Sequence, residues 1–315
     1  MRYPDFFIAG NSKSGTTALY YFLAQHSRIC MSNPKEPNFF ATDFQHEEGV
    51  GAFNARTPED YQQCFSGGRE DQIWGEASAC YLYSKTAAAN IYARNPAAKI
   101  IILFREPVSF LYSYYLQMLQ NPASEGETVK DFTTALSLES KRKRGHCLPD
   151  GCLVPQLLYY RERVNYAKQL LRFTKHFGSD QLQVYLYEDF KASNESVYYD
   201  ILEFLSLSPD SSSPKFERHN PSVKVKYKSA QNFAYNLSHG HGWYAPVHAT
   251  VKTVVPQPVR RFLMRSIYQT LAFEPKPELS DAVRQELKHQ FKPHVERFSE
   301  VLGQDLVARW GYEHI

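Results

Sequence analysis

The sequence predicts an α/β fold: a single P-loop-like domain over residues 1–315, with a central parallel sheet that helices flank on both faces. Short apolar runs typical of buried strands alternate along the chain with amphipathic helical segments, the order of elements in a parallel sheet with crossover helices. The run KIIILF at Lys99–Phe104 is almost continuously apolar, as expected of a strand covered on both faces. The length of 315 residues suffices for one large core, and no internal repeat or shift in composition divides it.

The first strand leads into a loop that predicts phosphate binding. Phe6–Ala9 is a short apolar run, Gly10–Gly15 is rich in glycine and small polar residues, and a helix is expected to begin near Thr16. In such a loop the backbone N–H groups converge on an anion, and the helix dipole adds partial positive charge. Lys13 supplies a cation within this segment, here named the phosphate loop (Gly10–Gly15).

The phosphate loop departs from the ordinary nucleoside-triphosphate loop, G-x-x-x-x-G-K-[ST]. Gly10 and Gly15 keep the spacing, but Thr16 occupies the lysine position and the lysine lies earlier, at Lys13. The stretch KSGTTAL that begins at Lys13 resembles instead the 5′-phosphosulfate loop of sulfotransferases, which use 3′-phosphoadenosine 5′-phosphosulfate (PAPS) as the donor. The resemblance implies that PAPS is bound by Lys13, Ser14, Gly15, Thr16, Thr17 and Ala18.

A strand is expected at Arg28–Ser32, followed by the proline-rich segment Asn33–Phe40. Its prolines exclude a helix interior and leave Lys35 and Glu36 on a rigid turn. By itself, Glu36 could be an ordinary solvated carboxylate. The pattern E-P-N-F-F resembles, however, the Glu-x-x-Phe-Phe segment of glycan-type and bacterial sulfotransferases, which implies that Glu36 is the catalytic base.

A short amphipathic helix is expected at Pro58–Phe65 and a strand at Gln72–Glu76. The residues from Glu76 onward resemble the Glu-x-[ST]-Pro-x-Tyr segment of the same family. Ala79 replaces the usual proline, and Ala77 stands where some members carry a lysine. Any role of that lysine is therefore absent here.

The strand at Lys99–Phe104 ends at Arg105, and Pro107 suits the first turn of a helix. A nucleoside-triphosphatase would need an acidic residue at such a strand end to hold Mg²⁺, whereas an arginine indicates an anion. Ser113 follows Arg105 by eight positions, about two helical turns. In sulfotransferases the pattern R-[DE]-P-x(5)-S binds the 3′-phosphate, which implies this role for Arg105 and Ser113. Phe110 stands where another arginine often occurs.

The basic run Lys141–Arg144 follows a helical stretch that begins near Val129. The favoured interpretation is a solvated charge run, with an acceptor-docking patch as the alternative. His146, Cys147 and Cys152 are metal-ligand types, but they surround a Pro-Asp-Gly turn and number only three. No metal is expected.

The later elements continue the alternation. A long helix is expected at Pro155–Phe177, a strand at Gln181–Tyr187, and helices at Ser196–Leu205 and Leu279–Leu302. Tyr166 begins a Tyr-Ala-x-Gln-Leu segment that matches the family. This resemblance implies a contact with the nucleotide, and the alternative is an ordinary packing tyrosine.

A basic segment near residue 220 has two interpretations. Lys224, Lys226 and Lys228 alternate with small or apolar residues, as in an edge strand that lysines protect from aggregation. In sulfotransferases a basic segment here folds over the adenine and the 3′-phosphate, so the resemblance favours a nucleotide-binding lid. Further on, His239 and His241 lie in a glycine-rich stretch that we interpret as an acceptor-facing loop.

Composition excludes several classes of protein. The net charge of +3 gives no field that would attract nucleic acid, and five cysteines, an odd number, indicate reduced thiols. No stretch approaches the roughly 18 apolar residues of a membrane span, and no charged-then-apolar leader opens the chain. The expected location is therefore the cytoplasm. The expected partner is a small-molecule or carbohydrate acceptor, and the oligomeric state is left open.

These features predict a PAPS-dependent sulfotransferase that transfers the sulfuryl group to an acceptor hydroxyl, or an amine, by in-line displacement. The resemblance assigns Glu36 as the base and Lys13 as the group that stabilises the leaving phosphate. Two alternatives stay open. One is a P-loop kinase or nucleoside-triphosphatase, which Thr16 and Arg105 disfavour; the other is a non-enzymatic nucleotide-binding protein of the same fold. The motifs do not encode the identity of the acceptor.

Overall fold

The computed structural model describes residues 1–44, 55–121, 126–216, 223–225, 273–275 and 278–315. A five-stranded sheet lies at the centre of the fold, with strand order β2-β3-β1-β4-β5 and every pairing parallel. A separate antiparallel pair is formed by β6 and β7. The predicted central parallel sheet is thus confirmed. The strands are β1 (Phe6–Gly10), β2 (Ile29–Met31), β3 (Ile73–Ala77), β4 (Lys99–Phe104), β5 (Leu182–Leu186), β6 (Val223–Val225) and β7 (Phe273–Pro275).

Helices flank both faces of this sheet, as predicted, and several begin at a capping side chain. Ser280, for example, accepts a hydrogen bond from the Val283 N–H at the start of a 22-residue helix, and Gly303 ends that helix in the left-handed conformation. The helices are α1 (Thr16–Leu23), α2 (Pro58–Gln63), α3 (Ala87–Arg94), α4 (Pro107–Met118), α5 (Phe132–Ser137), α6 (Glu139–Arg142), α7 (Tyr166–Thr174), α8 (Tyr187–Ala192), α9 (Asn194–Phe204), α10 (Asp281–Leu302) and α11 (Leu306–Arg309).

The core lies in two layers because successive residues of a strand point to opposite faces of the sheet. From β1, Phe7 and Ala9 enter the layer covered by α3, α4, α7 and α10. Phe6 and Ile8 enter the opposite layer, which α1 and α9 cover. All four side chains are almost completely buried, and this double burial explains why the central strands are apolar throughout.

The strand order creates a crevice beside β1. From β1 the chain moves to β2 and β3 on one side, and it then crosses to β4 on the other side of β1. The loops that follow β1 and β4 therefore diverge at the carboxyl edge of the sheet. This switch point is where open α/β sheets bind ligands, and it holds both the phosphate loop and Arg105.

The long helix predicted for Pro155–Phe177 is wrong. Two short 3₁₀ turns, Pro155–Leu158 and Arg161–Val164, occupy its first half. Asn165 then caps α7 by accepting a hydrogen bond from a first-turn N–H. The residues ahead of this cap are drawn into the core instead; Tyr160 is fully buried and donates its hydroxyl to a buried glutamate. Tertiary contacts thus override the local helical pattern.

The basic run Lys141–Arg144 also differs from its favoured interpretation as a solvated charge run. Arg142 is 1% exposed and forms a two-pronged ion pair with the buried Glu127, with N–O distances of 2.7 and 2.9 Å. Tyr160 donates its hydroxyl to the same carboxylate at 2.9 Å. The other three residues of the run are exposed, so one position of the four is a core element.

Two further findings concern the whole described part of the chain. Within it, no helix is long and apolar enough to cross a membrane. The five cysteines form no disulfide with one another, and their reduced state stays a prediction. The prediction of a single domain over residues 1–315 stays a prediction.

Candidate active site

The phosphate loop leaves the carboxyl end of β1 and turns sharply into α1. Gly15 has a φ of 92°, and a Cβ at this position would lie 2.7 Å from the ring of Phe190, so only glycine fits. Since Gly15 has no side chain, nothing of its own caps the first-turn N–H groups of α1. Thr16, Thr17 and Ala18 carry these groups to the wall of a cavity. The helix N-terminus there is suited to an anion.

Lys13 points from the phosphate loop toward α4, where its Nζ donates to the Oε1 of Gln117 at 3.3 Å. Burial, and secondarily the charge of Arg105, lowers the pKa of Lys13, while the carboxylate of Glu36 opposes this shift. A ligand anion beside Nζ would favour the charged form of the lysine. Ser14 is buried, donates to the Ser12 carbonyl at 3.4 Å, and is not part of the cavity wall.

Arg105 lies directly after β4 and against the phosphate loop. Its Nη1 donates to the carbonyl of Lys13 at 2.9 Å, and its guanidinium carbon lies 4.6 Å from the ring centroid of Tyr187. The next residue, Glu106, caps α4 by accepting two first-turn N–H groups at 2.9 and 2.8 Å. Stacking and capping together hold Arg105 at the carboxyl edge of the sheet, where it lines the cavity.

Ser113 and Tyr166, which the resemblance assigns to the 3′-phosphate and the nucleotide, do not line the cavity. Ser113 is 1% exposed on α4, one turn before Gln117, which does line the cavity. Tyr166 is also 1% exposed, and its hydroxyl donates to the backbone carbonyl of Arg105 at 3.0 Å. The structure therefore shows Tyr166 in the packing role, supporting Arg105 from below. Direct contact of either residue with a nucleotide stays a prediction.

Glu36 is held by hydrogen bonds between its own loop and the residues at the end of β3. Glu36 has a positive φ of 62°, and its side chain is 44% exposed, lines the cavity and forms an ion pair with Lys35. The loop donates three backbone N–H groups, from Glu36 to the Ala77 carbonyl (3.1 Å), from Asn38 to Ser78 Oγ (3.0 Å) and from Phe40 to Tyr81 Oη (3.3 Å). These bonds fix the position of Glu36 relative to the central sheet.

A buried carboxyl group lies beneath this loop. Glu76 is 0% exposed and accepts hydrogen bonds from the hydroxyls of Tyr61 and Tyr81 at 2.7 and 2.8 Å. Burial raises its pKa to about 7. The hydroxyl of Tyr81 also accepts a hydrogen bond from the Phe40 N–H, and the ring of Phe39 stacks on that of Tyr61. Glu76 therefore anchors the loop that carries Glu36 through these two tyrosines. This network is absent from our sequence-based predictions.

The residues around the phosphate loop and those around Glu36 line one cavity of about 450 Å³. We call the first set the donor wall; it comprises Ser12, Lys13, Gly15–Ala18, Arg105 and Tyr187, and Gln117 of α4 lines the cavity beside it. The acceptor wall comprises Glu36, Cys80, Tyr114, Val154, Leu157 and Arg163. The donor wall thus carries cationic groups and helix N–H groups, and the acceptor wall carries a carboxylate and one arginine beside apolar side chains.

The site residues expected between positions 224 and 241 lie in β6 or outside the described residues. Lys224 lies in β6, in register with β7. Lys226, Lys228, His239 and His241 lie outside the described residues. Their expected roles in a lid or an acceptor-facing loop stay predictions.

Several residues of the cavity were not singled out from the sequence, among them Gln117, Tyr187 and Arg163. Gln117 could have been found, because it follows Ser113 by one helical turn on the same helix. Tyr187 could also have been found, since it directly follows β5 as Arg105 follows β4. Arg163 carried no local signal, because it lies in the stretch predicted as a continuous helix. Among the described residues, no group of three His, Cys, Asp or Glu side chains could hold a metal.

Comparison with known proteins relates the chain to glycan-modifying enzymes. It is 29% identical over 189 residues to the bifunctional heparan sulfate N-deacetylase/N-sulfotransferase 1 of Xenopus tropicalis, covering 58% of this chain and 20% of that protein. It is 28% identical over 182 residues to the human heparan sulfate glucosamine 3-O-sulfotransferase 5, covering 58% of this chain and 47% of that protein. The chain therefore spans less than half the length of these relatives.

A solved structure and a family model cover more of the chain. The crystal structure of a sulfotransferase from Alicyclobacillus acidocaldarius is similar with a TM-score of 0.69 at 27% identity, over 98% of this chain and 99% of that one. A model described as the sulfotransferase domain matches residues 3–238, which include the phosphate loop, Glu36 and Arg105. On this evidence the chain belongs to the family of PAPS-dependent sulfotransferases.

Proposed function

We propose that this protein transfers the sulfuryl group of PAPS to a hydroxyl group of a small-molecule or carbohydrate acceptor. The observation that carries the proposal is a single cavity lined by Lys13, Glu36 and Arg105, which are far apart in the sequence. The relatives that are named for heparan sulfate favour a carbohydrate acceptor. Their names include both an N- and an O-sulfotransferase, so an amine acceptor belongs to the same proposal.

The donor wall has the groups that PAPS requires. The uncapped N–H groups of α1 and the buried ammonium of Lys13 suit the 5′-phosphosulfate. Arg105, beside the loop and stacked on Tyr187, suits the 3′-phosphate, and Ser113 on α4 would contribute from below. Holding both ends of one nucleotide aligns its reactive group with the opposite wall.

When bound, PAPS supplies the sulfuryl group: the acceptor oxygen bonds to sulfur while the bond from sulfur to the bridging phosphate oxygen breaks and its electron pair stays on the phosphate. Lys13 stabilises the charge that develops on this phosphate oxygen. Its contact with Gln117 keeps Nζ over the loop before the nucleotide arrives. Low exposure strengthens this electrostatic effect, since the surroundings screen it less than bulk water does.

Glu36 removes the proton of the acceptor hydroxyl. An alcohol is too weakly acidic to ionise beforehand, so the proton must leave as the S–O bond forms. Glu36 faces the cavity from the acceptor wall and is within electrostatic range of Lys13. In-line displacement requires the acceptor oxygen on the side of the sulfur opposite the leaving phosphate, and this oxygen passes its proton to the Glu36 carboxylate.

A transfer assay with radiolabelled PAPS and a panel of saccharides, phenols and amines tests the proposal. We expect labelled product with the wild-type protein and none above background with Lys13→Met, which keeps the side-chain length and removes the charge. Thr174→Val, an exposed substitution at the end of α7, serves as the control. Phosphoryl transfer from ATP and Mg²⁺ in place of sulfuryl transfer would establish the kinase alternative. Binding of nucleotide without transfer to any acceptor would favour the non-enzymatic alternative.

A further inference from the structure

Arg163 is a buried cation on the acceptor wall. It lies in the 3₁₀ turn Arg161–Val164, just before α7, and is 4% exposed. Its guanidinium carbon lies 4.1 Å from the ring centroid of Tyr83 and 4.3 Å from that of Tyr114. These two cation–π contacts hold the guanidinium in place.

Hydrogen bonding leaves Arg163 with unused donors. Its one hydrogen bond among the described residues runs from Nη2 to the Gln156 carbonyl at a long 3.4 Å, and its Nε has no partner there. No ion pair within the described part of the chain includes it. Glu162, the adjacent carboxylate, instead accepts the hydroxyl of Tyr83 at 2.8 Å. A buried charge without a strong partner is costly, so this arrangement points to a ligand that completes it.

Arg142 shows what a satisfied buried arginine looks like in the same protein. It is as deeply buried as Arg163, but Glu127 neutralises it with two short hydrogen bonds. Arg142 takes no part in lining the cavity, whereas Arg163 does. The contrast shows that none of the described residues neutralises Arg163 as Glu127 neutralises Arg142, and a ligand in the cavity could take this role.

The donors of Arg163 are directed toward the cavity. Arg163 lines the cavity, and the rings of Tyr83 and Tyr114 lie close to its guanidinium. Burial, followed by the charges of Glu36 and Glu76, raises the pKa of the Cys80 thiol, and the nearby charge of Arg163 opposes this shift. Cys80 lines the cavity and donates to the side-chain oxygen of Asn38, two residues from Glu36. Arg163 and the proposed base therefore belong to one continuous wall.

We propose that Arg163 binds a carboxylate of the acceptor and thereby selects acidic acceptors; this rests on the proposed function. A planar guanidinium matches a planar carboxylate with two parallel hydrogen bonds. Val154 and Leu157 line the same wall, so the group between carboxylate and hydroxyl packs on apolar surface. The acceptor class is a hydroxy acid, either a phenolic acid or a uronic acid glycoside.

Matched acid and amide pairs test this directly. The probes are 4-hydroxyphenylacetate with its primary amide, and a methyl glucuronide with its primary amide. For the wild type we expect kcat/KM for the acid of at least one pair to exceed that of its amide by roughly ten- to a hundred-fold, the factor that a charge-assisted contact provides. The pair that shows the preference identifies the phenolic or the saccharide source.

Arg163→Met should abolish the preference, so that within this variant kcat/KM for the acid falls to that for its amide. Arg163→Lys, which keeps the charge without the planar fork, should retain part of it. The matched control is Arg161→Met, an arginine on the same turn that does not line the cavity; it should keep the full preference. An unchanged affinity for the desulfonated nucleotide and an unchanged Tm would show that each variant is folded.

Calorimetric binding of each probe to the enzyme–nucleotide complex separates this proposal from the proposed function. If no probe is sulfated but the acid binds more tightly than its amide only when Arg163 is present, the proposed function fails and the carboxylate site stands. If acids and amides bind and react equally in the wild type, or if Arg163→Met keeps the preference, the carboxylate site is wrong.

Discussion

The donor wall and the acceptor wall of the cavity differ in what holds their charged groups in place. On the donor wall, the geometry comes from the backbone: Gly15 allows the turn, and α1 and β4 deliver their ends to the same edge of the sheet. On the acceptor wall it comes from side chains, since two tyrosines on Glu76 support the Glu36 loop and two tyrosine rings clamp Arg163.

Because of this difference, we expect the two walls to respond differently to substitution. A site built from backbone N–H groups and a helix dipole loses one contact at a time, so its substitutions should change nucleotide affinity in limited steps. A site built from side-chain networks depends on the protonation state and shape of each member. Its substitutions should change turnover, acceptor choice or pH dependence while nucleotide affinity stays constant.

The largest effect is expected for Glu36→Gln, which keeps the shape of the side chain and removes the base. We expect kcat on an alkyl alcohol to fall by about 10²–10⁴-fold, with nucleotide affinity nearly unchanged. A phenol of low pKa should recover much of the lost rate, because it needs less help in losing its proton. Glu59→Gln, an exposed exchange of the same type in α2, is the control. Near-normal turnover of Glu36→Gln on the alcohol would move the base elsewhere, with His46 and His241 as the next candidates.

The second effect concerns stability as a function of pH through Glu76. Its pKa is raised by burial to about 7 from an ordinary 4.5, so the folded state favours the neutral carboxyl. The stabilising contribution of that neutral form is complete below about pH 4.5 and is lost as the pH rises through 7.

Glu76→Gln, which stays neutral, should therefore be about as stable as wild type at pH 4.5. At pH 8 it should be more stable than wild type, by on the order of 3 kcal/mol. Urea unfolding at both pH values measures this, and the calorimetric affinity for the nucleotide should not follow it. A stability difference that does not change with pH would show that Glu76 is ionised in the folded protein.

A smaller effect is expected from Arg105→Ala on the donor wall. Loss of one charge-assisted contact of about 1.5–3 kcal/mol weakens binding of the desulfonated nucleotide by roughly ten- to a hundred-fold. The same nucleotide without its 3′-phosphate should scarcely respond, and this ligand is the internal control. Since Arg105 also donates to the Lys13 carbonyl, equal losses for both ligands would mean that it acts by shaping the phosphate loop.

The smallest effect is expected from metal removal. Cationic side chains and helix N–H groups supply the positive charge of the donor wall, so the desulfonated nucleotide should bind equally with and without EDTA in calorimetry. A requirement for Mg²⁺ would overturn the proposed role of the donor wall and revive the kinase alternative.

The sequence alone was sufficient for the sheet and most of the donor wall. Gly15 and Lys13 lie within a few residues of each other, and a tight turn into a helix imposes strict local demands on residue type. The apolar run of β4 is likewise local, because a strand buried on both faces tolerates few polar residues. Such features can be predicted from the sequence because the residues that satisfy the physical constraint are adjacent in the chain.

The composition of the acceptor wall and the partners of the buried charges could not be predicted from the sequence, because they depend on tertiary contacts. Arg142 and Arg163 lie in segments that local pattern describes as a charge run and a helix. One is neutralised by Glu127, whereas the other lies between Tyr83 and Tyr114 at the cavity. The energy of a buried charge depends on what surrounds it, and those neighbours come from distant parts of the chain. Their arrangement is settled only when the sheet brings those parts together.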